Sequence, residues 1–278
     1  MRCYGKYLSA IVLAGLLFSQ VVQALTMDPP LPSDCAEAEK AEDPQVKVSL
    51  YTRCLDVEDK LMGPLEAYQR DKMHFHRANA LFELRRYAEA LVDYNRFIPT
   101  AYGHVWALHQ RGLTHQAMGQ RQLAVADFEQ ALTNNSDAFD VIFDRGQLLA
   151  EMGLYQQALE DLRRAATLAA KYSSNPALFA NALAWLLATC PDAKIHDGKE
   201  AVRFALKAVS IDINAQYLDT LAAAHARKGD FKQAVETQQA ALDFLRKDKV
   251  VQGETIKEFT SRLSLYTAGK PYTQQQLE

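Results

Sequence analysis

A 34-residue period in the middle of the chain constrains its fold more than any other feature of the sequence. Stepping by 34 from Ala90 reaches Ala124 and Ala158 without an insertion. Residues of similar size and type recur at fixed offsets from these alanines, and such coincidence over three copies is typical of helix–turn–helix repeats. The coincident columns are Ala78, Gly112 and Gly146; Arg85, Gly119 and Gly153; Tyr87, Arg121 and Tyr155; Tyr94, Phe128 and Leu162; and Phe97, Ala131 and Ala165.

Each copy is long enough for two helices, which are predicted at Met73–Leu84 and Tyr87–Ile98 in the first copy. The small columns let the paired helices approach closely, whereas the Tyr94 column fills the space between one unit and the next. One unit cannot bury its apolar face alone, so stacked units share a core. Composition agrees, because 12 glycines and 9 prolines in 278 residues, with 49% hydrophobic residues, favour helices over a β-rich or disordered chain. The predicted fold class is all-α.

Two further units follow the regular repeats with altered spacing. Ala177–Cys190 and Lys199–Val209 are predicted as the helix pair of the fourth unit, which has a longer loop between its helices. Glu254–Leu265 is predicted to be a capping helix that closes the stack. The predicted units are 71–104, 105–138, 139–172, 177–212 and 215–248, followed by the capping helix and tail at 249–278.

The spacing and residue types resemble the tetratricopeptide repeat (TPR) family. That family has a small residue at position 8, aromatic residues at 17 and 24, and alanines at 20 and 27, and the columns match it with Arg121 and Phe97 as departures. The runs Ala184–Asp192, Asp219–Ala224 and Gly269–Tyr272 also look like a subgroup of bacterial TPR proteins. The resemblance covers residues 71–272 and implies a right-handed α-solenoid.

The first 24 residues have the three regions of a secretory signal peptide. Basic residues precede an apolar run at Leu8–Phe18, and Val22-Gln23-Ala24 places small residues at the cleavage site. The apolar run is shorter than the ~20 residues needed to span a bilayer. We expect a cleaved signal at 1–24, a Pro-rich linker at 25–34, and a periplasmic or secreted protein with no membrane insertion after cleavage.

Two cysteines of the mature chain lie in a predicted N-terminal helical hairpin and capping segment at residues 35–70. A bridge between Cys35 and Cys54 would join the open ends of this hairpin in an oxidising compartment. With 18 residues between the two cysteines, loop closure predicts a stabilisation of about 3 kcal/mol. Two buried thiols are the alternative. Cys190 is expected to be a small buried residue at a helix end.

The sequence has no motif of a known reaction. It lacks the G-x-S-x-G, H-E-x-x-H and C-x-x-C patterns and a phosphate-binding glycine loop. Cys190 lies near Asp192 and His196, which are ingredients of nucleophilic catalysis, but a helix end and its cap explain them better. We expect no enzyme, no metal and no cofactor. A net charge of −3 offers no basic surface for nucleic acid.

The resemblance also implies a peptide-binding groove, because positions 2, 5, 9 and 12 of each first helix line a concave surface in TPR proteins. Asp140 and Asp144 stand where the family's best-known receptors bind a C-terminal carboxylate with cations, so that ligand is not expected. Aromatic residues with an acidic rim that includes Glu151 predict an apolar peptide with Lys or Arg flanks. Packing between helices is the alternative role of the aromatics. The predicted groove residues are Lys72, Phe75, Asn79, Phe82, Trp106, His109, Leu113, Asp140, Phe143, Asp144 and Gln147.

Two functions follow from this interpretation. The first is a non-enzymatic adaptor of the bacterial periplasm that binds a protein or peptide in the groove. The alternative is a dedicated structural accessory subunit of an envelope assembly or polysaccharide-export complex. An adaptor has several clients, whereas an accessory subunit belongs to one dominant complex.

Overall fold

The computed structural model describes residues 33–58, 64–99, 104–247 and 253–275, and the regular structure in these ranges is helical. The all-α prediction is therefore confirmed for the described part of the chain. The predicted signal peptide at 1–24 and residues 25–32 of the predicted linker lie outside it. The helices are α1 (Ser33–Lys40), α2 (Pro44–Glu58), α3 (Pro64–Glu83), α4 (Tyr87–Phe97), α5 (His104–Ala117), α6 (Arg121–Asn134), α7 (Phe139–Glu151), α8 (Tyr155–Tyr172), α9 (Pro176–Thr189), α10 (Gly198–Ile211), α11 (Ala215–Lys228), α12 (Phe231–Lys247) and α13 (Gly253–Thr267).

The chain divides into two compact units between Ala107 and Leu108, within α5. In the first unit, α2 packs against α1 and α3, and α3 packs against α4. Helix α3 begins at Pro64, well before the expected Met73, because proline is favoured at the first position of a helix, where no backbone N–H is needed.

The N-terminal hairpin is closed by a disulfide between Cys35 and Cys54, whose Cα atoms are 5.5 Å apart. Both cysteines are buried, together with Tyr51 and Met73, in a small apolar cluster. Between α1 and α2, the carboxylate of Asp43 accepts a hydrogen bond of 2.7 Å from the backbone N–H of Gln45. This contact caps α2 and sets the turn of the hairpin.

Close contact between paired helices occurs at the small residues of the 34-residue repeat, as predicted. A Cβ atom at Gly112 would lie 2.5 Å from Cε1 of Phe128, and one at Gly146 would lie 3.0 Å from Cβ of Asp161. Ala78 is fully buried at the equivalent position of the first repeat. A larger side chain at these positions would push the two helices of its pair apart.

The turn between paired helices uses a left-handed backbone conformation. Gly119, Gly153 and Gly229 have φ of +74°, +77° and +91°, which glycine adopts at little cost. Arg85 takes the same place in the first copy with φ of +58°. Its backbone N–H donates to the carbonyl oxygen of Phe82 at 2.9 Å. An arginine therefore occupies, in the first repeat, the backbone conformation that glycine has in the others.

The second unit is a stack of helix pairs with an apolar core cluster that extends from α7 to α13. Successive helices from α6 to α13 pack against one another, and α9 also packs against α11. Leu183 and Leu187 of α9 and Tyr266 of α13 are fully buried in this core. The capping helix expected at Glu254–Leu265 corresponds to α13, which lies in the second unit.

The longer loop of the fourth repeat contains a short 3₁₀ helix at Ala193–Ile195 and then starts α10 with a strong cap. The Asp197 carboxylate accepts from the backbone N–H groups of Lys199 and Glu200, at 3.0 and 2.9 Å. Gly198 follows where backbones meet, since a Cβ there would lie 2.5 Å from the backbone nitrogen of Lys228. This contact joins the start of α10 to the end of α11. Among the described residues, no helix is both long and apolar enough to span a bilayer.

Candidate functional site

In the first unit, the predicted groove aromatics of α3 contact rings of α4. The Phe75 ring centroid lies 5.1 Å from that of Phe97, and the centroids of Phe82 and Tyr87 are 5.5 Å apart. These distances are typical of aromatic pairs that hold helices together. Both phenylalanines are half-buried, so packing between helices occupies part of each ring.

The polar groove residues of the first unit differ in their surroundings. Asn79 accepts a hydrogen bond of 2.7 Å from the buried hydroxyl of Tyr94, which ties α3 to α4. Lys72 is exposed, and Trp106 is 63% exposed. Trp106 is therefore the aromatic of the predicted set with most of its surface available to a partner.

In the second unit, the predicted groove residues His109 and Phe143 are buried. His109 on α5 and Asp144 on α7 are joined by a contact of 2.6 Å between Nε2 and Oδ2. The ring of Phe143 lies 4.7 Å from that of Phe179 on α9. Thus His109 and Phe143 connect the first helices of successive repeats.

The remaining predicted residues of the second unit are partly or fully open to solvent. Leu113 is half-buried, whereas Asp140 and Gln147 are exposed. Partial burial raises the pKa of the Asp140 carboxyl; His109 lowers it and the neighbouring Asp144 raises it again. The carboxylate of Asp140 therefore lies at the surface of the third repeat.

The second unit contains two large cavities, which lie over later repeats than predicted. The larger, of about 810 Å³, is lined mainly by α7, α8, α9 and the C-terminal tail, with Leu265 of α13. The smaller, of about 660 Å³, is lined by α9, α11, α13 and the tail. Of the predicted groove residues, these two cavities include Gln147 alone. Both are lined by Asn181, Trp185, Tyr272 and Gln274.

Asn181 is an unusual feature of the wall shared by the cavities. Its side-chain oxygen Oδ1 is buried and has no hydrogen-bond partner among the described residues. A buried acceptor without a donor costs about 1–3 kcal/mol. A ligand that donates a hydrogen bond here would recover this free energy.

A buried polar cluster beneath the smaller cavity attaches the capping helix to the last repeat. Arg262 of α13 donates to Asp219 of α11 at 2.8 Å, and Gln238 of α12 donates to the same carboxylate at 2.7 Å. Burial raises the pKa of the Asp219 carboxyl against the opposing influence of Arg262 and Gln238. The cluster places the Arg262 guanidinium 5.7 Å from the Trp185 ring centroid, so it also positions the cavity wall.

Cys190 and its neighbours make the contacts of a helix end. Its side chain is fully buried, and burial raises the pKa of its thiol. Nε2 of His196 contacts the carbonyl oxygen of Cys190 at 2.6 Å, and the Asp192 carboxylate caps the 3₁₀ helix through Lys194 N–H at 2.9 Å. These contacts agree with the predicted structural role of a helix end.

Comparison with known proteins agrees with this arrangement. The model of the tetratricopeptide repeat family matches residues 107–137 and 139–172, and no curated protein is similar enough in sequence to count as a relative. Residues 107–172 therefore contain two tetratricopeptide repeats, and the described chain has the fold of solved TPR proteins. TPR proteins bind protein or peptide partners.

Solved TPR structures share the fold at low sequence identity. MamA from Desulfovibrio magneticus RS-1, from residue 41 to its end, is 22% identical and aligns over 64% of this chain and 97% of its own, with a TM-score of 0.54. YrrB, a TPR protein with an unusual peptide-binding site, is 18% identical over 76% of this chain and 97% of its own, with a TM-score of 0.55. Yeast Tom70 is 17% identical over 80% of this chain and 47% of its own, with a TM-score of 0.54. The predicted class, a right-handed α-solenoid of TPR units with a capping helix, is confirmed.

The TPR pattern explains the lining of the cavities once it is extended to the last two repeats. With Ala184 and Ala222 at position 8, the inward positions of those repeats supply cavity residues that the sequence prediction had not considered. Counting from these alanines would have identified them. They are Leu178, Asn181 and Trp185 in the fourth repeat and Gln216 and Asp219 in the fifth.

A second repeated feature of the TPR units was also missed. An arginine at position 7 pairs with an aspartate sixteen residues later on the partner helix, with N···O distances of 2.5–2.9 Å. The two columns were visible in the sequence at the 34-residue spacing but carry charge rather than apolar character. The pairs are Arg77–Asp93, Arg111–Asp127 and Arg145–Asp161.

Proposed function

We propose that this TPR protein is a non-enzymatic adaptor that binds a peptide segment of a partner on the concave surface of its last three repeats. The observation that carries the proposal is the pair of cavities lined by inward positions of consecutive repeats. Their volumes, about 810 and 660 Å³, are within the range of sites that hold several side chains of a ligand.

The chemistry of the lining indicates the type of peptide. Leu178, Trp185 and Leu186 supply apolar surface in the larger cavity, and Glu151 adds a carboxylate at its edge. Glu258 lines the smaller cavity. Apolar anchors with acidic neighbours favour an apolar peptide with Lys or Arg flanks, which is the partner expected from the sequence.

Of the predicted groove residues in the first unit, Trp106 remains part of the proposal. The exposure of Trp106 supports a binding role at that position. Trp106→Ala should weaken partner binding without loss of stability, because the side chain is mostly in solvent.

Selection from a displayed peptide library tests the binding surface. Leu178, 42% exposed, lines the larger cavity, whereas Leu206 is 50% exposed on α10 and lines neither cavity. A carboxylate in an apolar contact is unfavourable, so Leu178→Glu should weaken the selected peptides about tenfold or more. Leu206→Glu is the matched control and should not. Equal affinities for the two variants, or a failure to select any peptide, would refute the proposed site.

We further propose a periplasmic location, which the signal-like residues 1–24 and the Cys35–Cys54 disulfide support. Fusing residues 1–32 to alkaline phosphatase, which becomes active only after export, should yield active enzyme. An inactive fusion would contradict the location. Photo-crosslinking from position 147 in the native host then distinguishes an adaptor, with several crosslinked clients, from an accessory subunit of one envelope complex.

A further inference from the structure

The C-terminal tail of the protein returns over the concave surface after the capping helix. Gly269 ends α13 with φ of +66°, and the backbone N–H of Lys270 donates to the carbonyl oxygen of Leu265 at 3.0 Å. This is the pattern of a Schellman turn, and Pro271 then prevents further helix. Residues 271–275 have no regular structure.

The tail is held through both its main chain and its side chains. Arg227 donates to the carbonyl oxygen of Tyr272 at 2.8 Å, and the backbone N–H of Gln274 donates to the carbonyl oxygen of Thr189 at 2.8 Å. Arg227 also contacts the Thr273 hydroxyl at 2.9 Å. Recognition of main-chain atoms does not depend on the identity of the bound side chains.

Side chains of the tail make contacts of their own. The Thr189 hydroxyl donates to Oε1 of Gln274 at 3.3 Å, and the aromatic ring of Tyr272 packs on α9. The ring of Tyr272 lies 6.0 Å from that of Trp185, and the Arg262 guanidinium lies 5.4 Å from the Tyr272 centroid. The guanidinium is fixed in this place by its hydrogen bond to buried Asp219. An aromatic partner beside a fixed cation is a favourable arrangement for one ring at one position.

The tail forms part of the wall of both cavities. Tyr272 and Gln274 line both cavities, while Thr273 and Gln275 are exposed. Asn181, whose Oδ1 has no hydrogen-bond partner among the described residues, also lines both cavities. The bound segment is short and its contacts are few, so a longer segment could make these contacts and fill the space on either side.

We propose that residues Tyr272–Gln275 occupy a peptide site in cis, and that the site accepts a partner segment with an aromatic residue followed by polar residues in place of the tail. This inference rests on the proposed function and specifies its ligand. Arg227 and Thr189 hold the main chain of the partner, and Trp185 with Arg262 holds its aromatic ring. The partner must displace the tail, whose tethering gives it a high local concentration.

The direct test adds the tail segment in trans. A fluorescein-labelled peptide of residues 269–275, Gly-Lys-Pro-Tyr-Thr-Gln-Gln, is titrated by anisotropy against the mature chain and against a variant that stops after Lys270. We expect the shortened variant to bind at least about tenfold more tightly, because no tethered competitor remains. The same peptide with alanine in place of tyrosine should bind it at least about tenfold more weakly.

A second variant keeps the test valid if the shortened chain does not fold. In the full mature chain, Tyr272→Ala should loosen the tail and increase the affinity for the added peptide. Lys270→Ala is the control, since its exposed side chain precedes the occupied segment. Equal affinity of Tyr272→Ala and Lys270→Ala for the peptide overturns the inference.

Two further results also overturn it. One is a folded shortened variant that does not bind the peptide. The other is a dimer of the full chain, seen by light scattering, that dissociates when the tail is removed, since the occupant would then be the tail of a second copy. If library peptides bind at Leu178 while the tail peptide does not, this inference fails and the proposed function stands.

Discussion

Arg145 on α7 and Asp161 on α8 form a two-point contact, in which Nε and Nη2 of the arginine donate to the two carboxylate oxygens at 2.7 and 2.8 Å. The hydrogen bond and the charge of Asp161 raise the pKa of the Arg145 guanidinium. The contact links the two helices of one repeat, and it recurs in the two preceding repeats. The small residues allow the paired helices to approach closely, and this ion pair sets their relative position.

Removing one member of this pair should destabilise the second unit. Arg145→Met leaves the Asp161 carboxylate largely buried without its cation, and we expect a loss of about 2 kcal/mol in the free energy of unfolding. Urea denaturation measures this loss. Arg246→Met is the control, because its exposed pair with Asp243 should contribute less than about 1 kcal/mol. An equal effect of the two substitutions would contradict the structural role of Arg145.

The contact between the backbones of α10 and α11 predicts a strong effect at Gly198. An added Cβ would lie 2.5 Å from the nitrogen of Lys228 and 2.7 Å from the carbonyl carbon of Arg227, and backbone atoms cannot move aside as a side chain can. Gly198→Ala should therefore lower the free energy of unfolding by about 2 kcal/mol or more.

The matched control for this glycine is Gly253, the first residue of α13, where an added Cβ meets nothing within 4 Å. Gly253→Ala should be neutral or stabilise the protein by up to about 1 kcal/mol. Thermal unfolding of both variants gives the comparison. A destabilisation by Gly253→Ala as large as that by Gly198→Ala would show that a general effect, not the contact, is responsible.

The cysteines should differ in reactivity. With Cys35 and Cys54 bonded, the mature chain should show no reactive thiol with Ellman's reagent when folded, because Cys190 is buried and its pKa is raised. Guanidinium chloride without reductant should reveal one thiol. Two or three thiols in denaturant would mean that the disulfide is absent from the isolated protein.

The disulfide should also contribute to stability. Its cysteines are separated by 19 positions, and loop closure over that length predicts about 3 kcal/mol. Replacing both by serine should lower the free energy of unfolding of the first unit by this order. Cys190→Ser in the second unit is the control, since it removes a buried sulfur atom without removing the bridge. In hydrogen exchange, the variant without the bridge should lose protection in the N-terminal helices.

Acid should weaken the first repeat through Asp93. Burial raises the pKa of this carboxyl, but hydrogen bonds from Arg77 and His74 outweigh burial and lower the pKa overall. Because the folded-state pKa is below the unfolded value of about 3.9, the stabilisation is present above that value. It is lost as the pH falls through the folded-state pKa.

The comparison of Asp93→Asn with the parent chain isolates this effect. The variant should be less stable at neutral pH but should lose less stability on acidification from about pH 6 to about pH 3. Urea denaturation across this range measures both. Asp243→Asn, at an exposed position, should follow the parent. If all three proteins lose stability equally in acid, Asp93 does not contribute to acid unfolding.

The sequence by itself determined the repeat architecture. The columns of small and apolar residues specify two helices per unit and the side on which they touch, because helical periodicity places residues of one column on one face. The bounds of α4 and α10 and the left-handed turn at Arg85 follow from such local rules. Even the missed arginine–aspartate pairs were present as columns of the same period.

Only the tertiary structure decided what covers the inward surface. A sequence column shows that Phe143 and Asn181 face inward, but not that Phe143 packs on Phe179 or that the oxygen of Asn181 lacks a donor, since both depend on the distance to the next helix. The tail contacts of Tyr272 join residues far apart in the chain, through Arg227 and Trp185. No local periodicity encodes such contacts, because they exist only when the stack and its capping helix have formed.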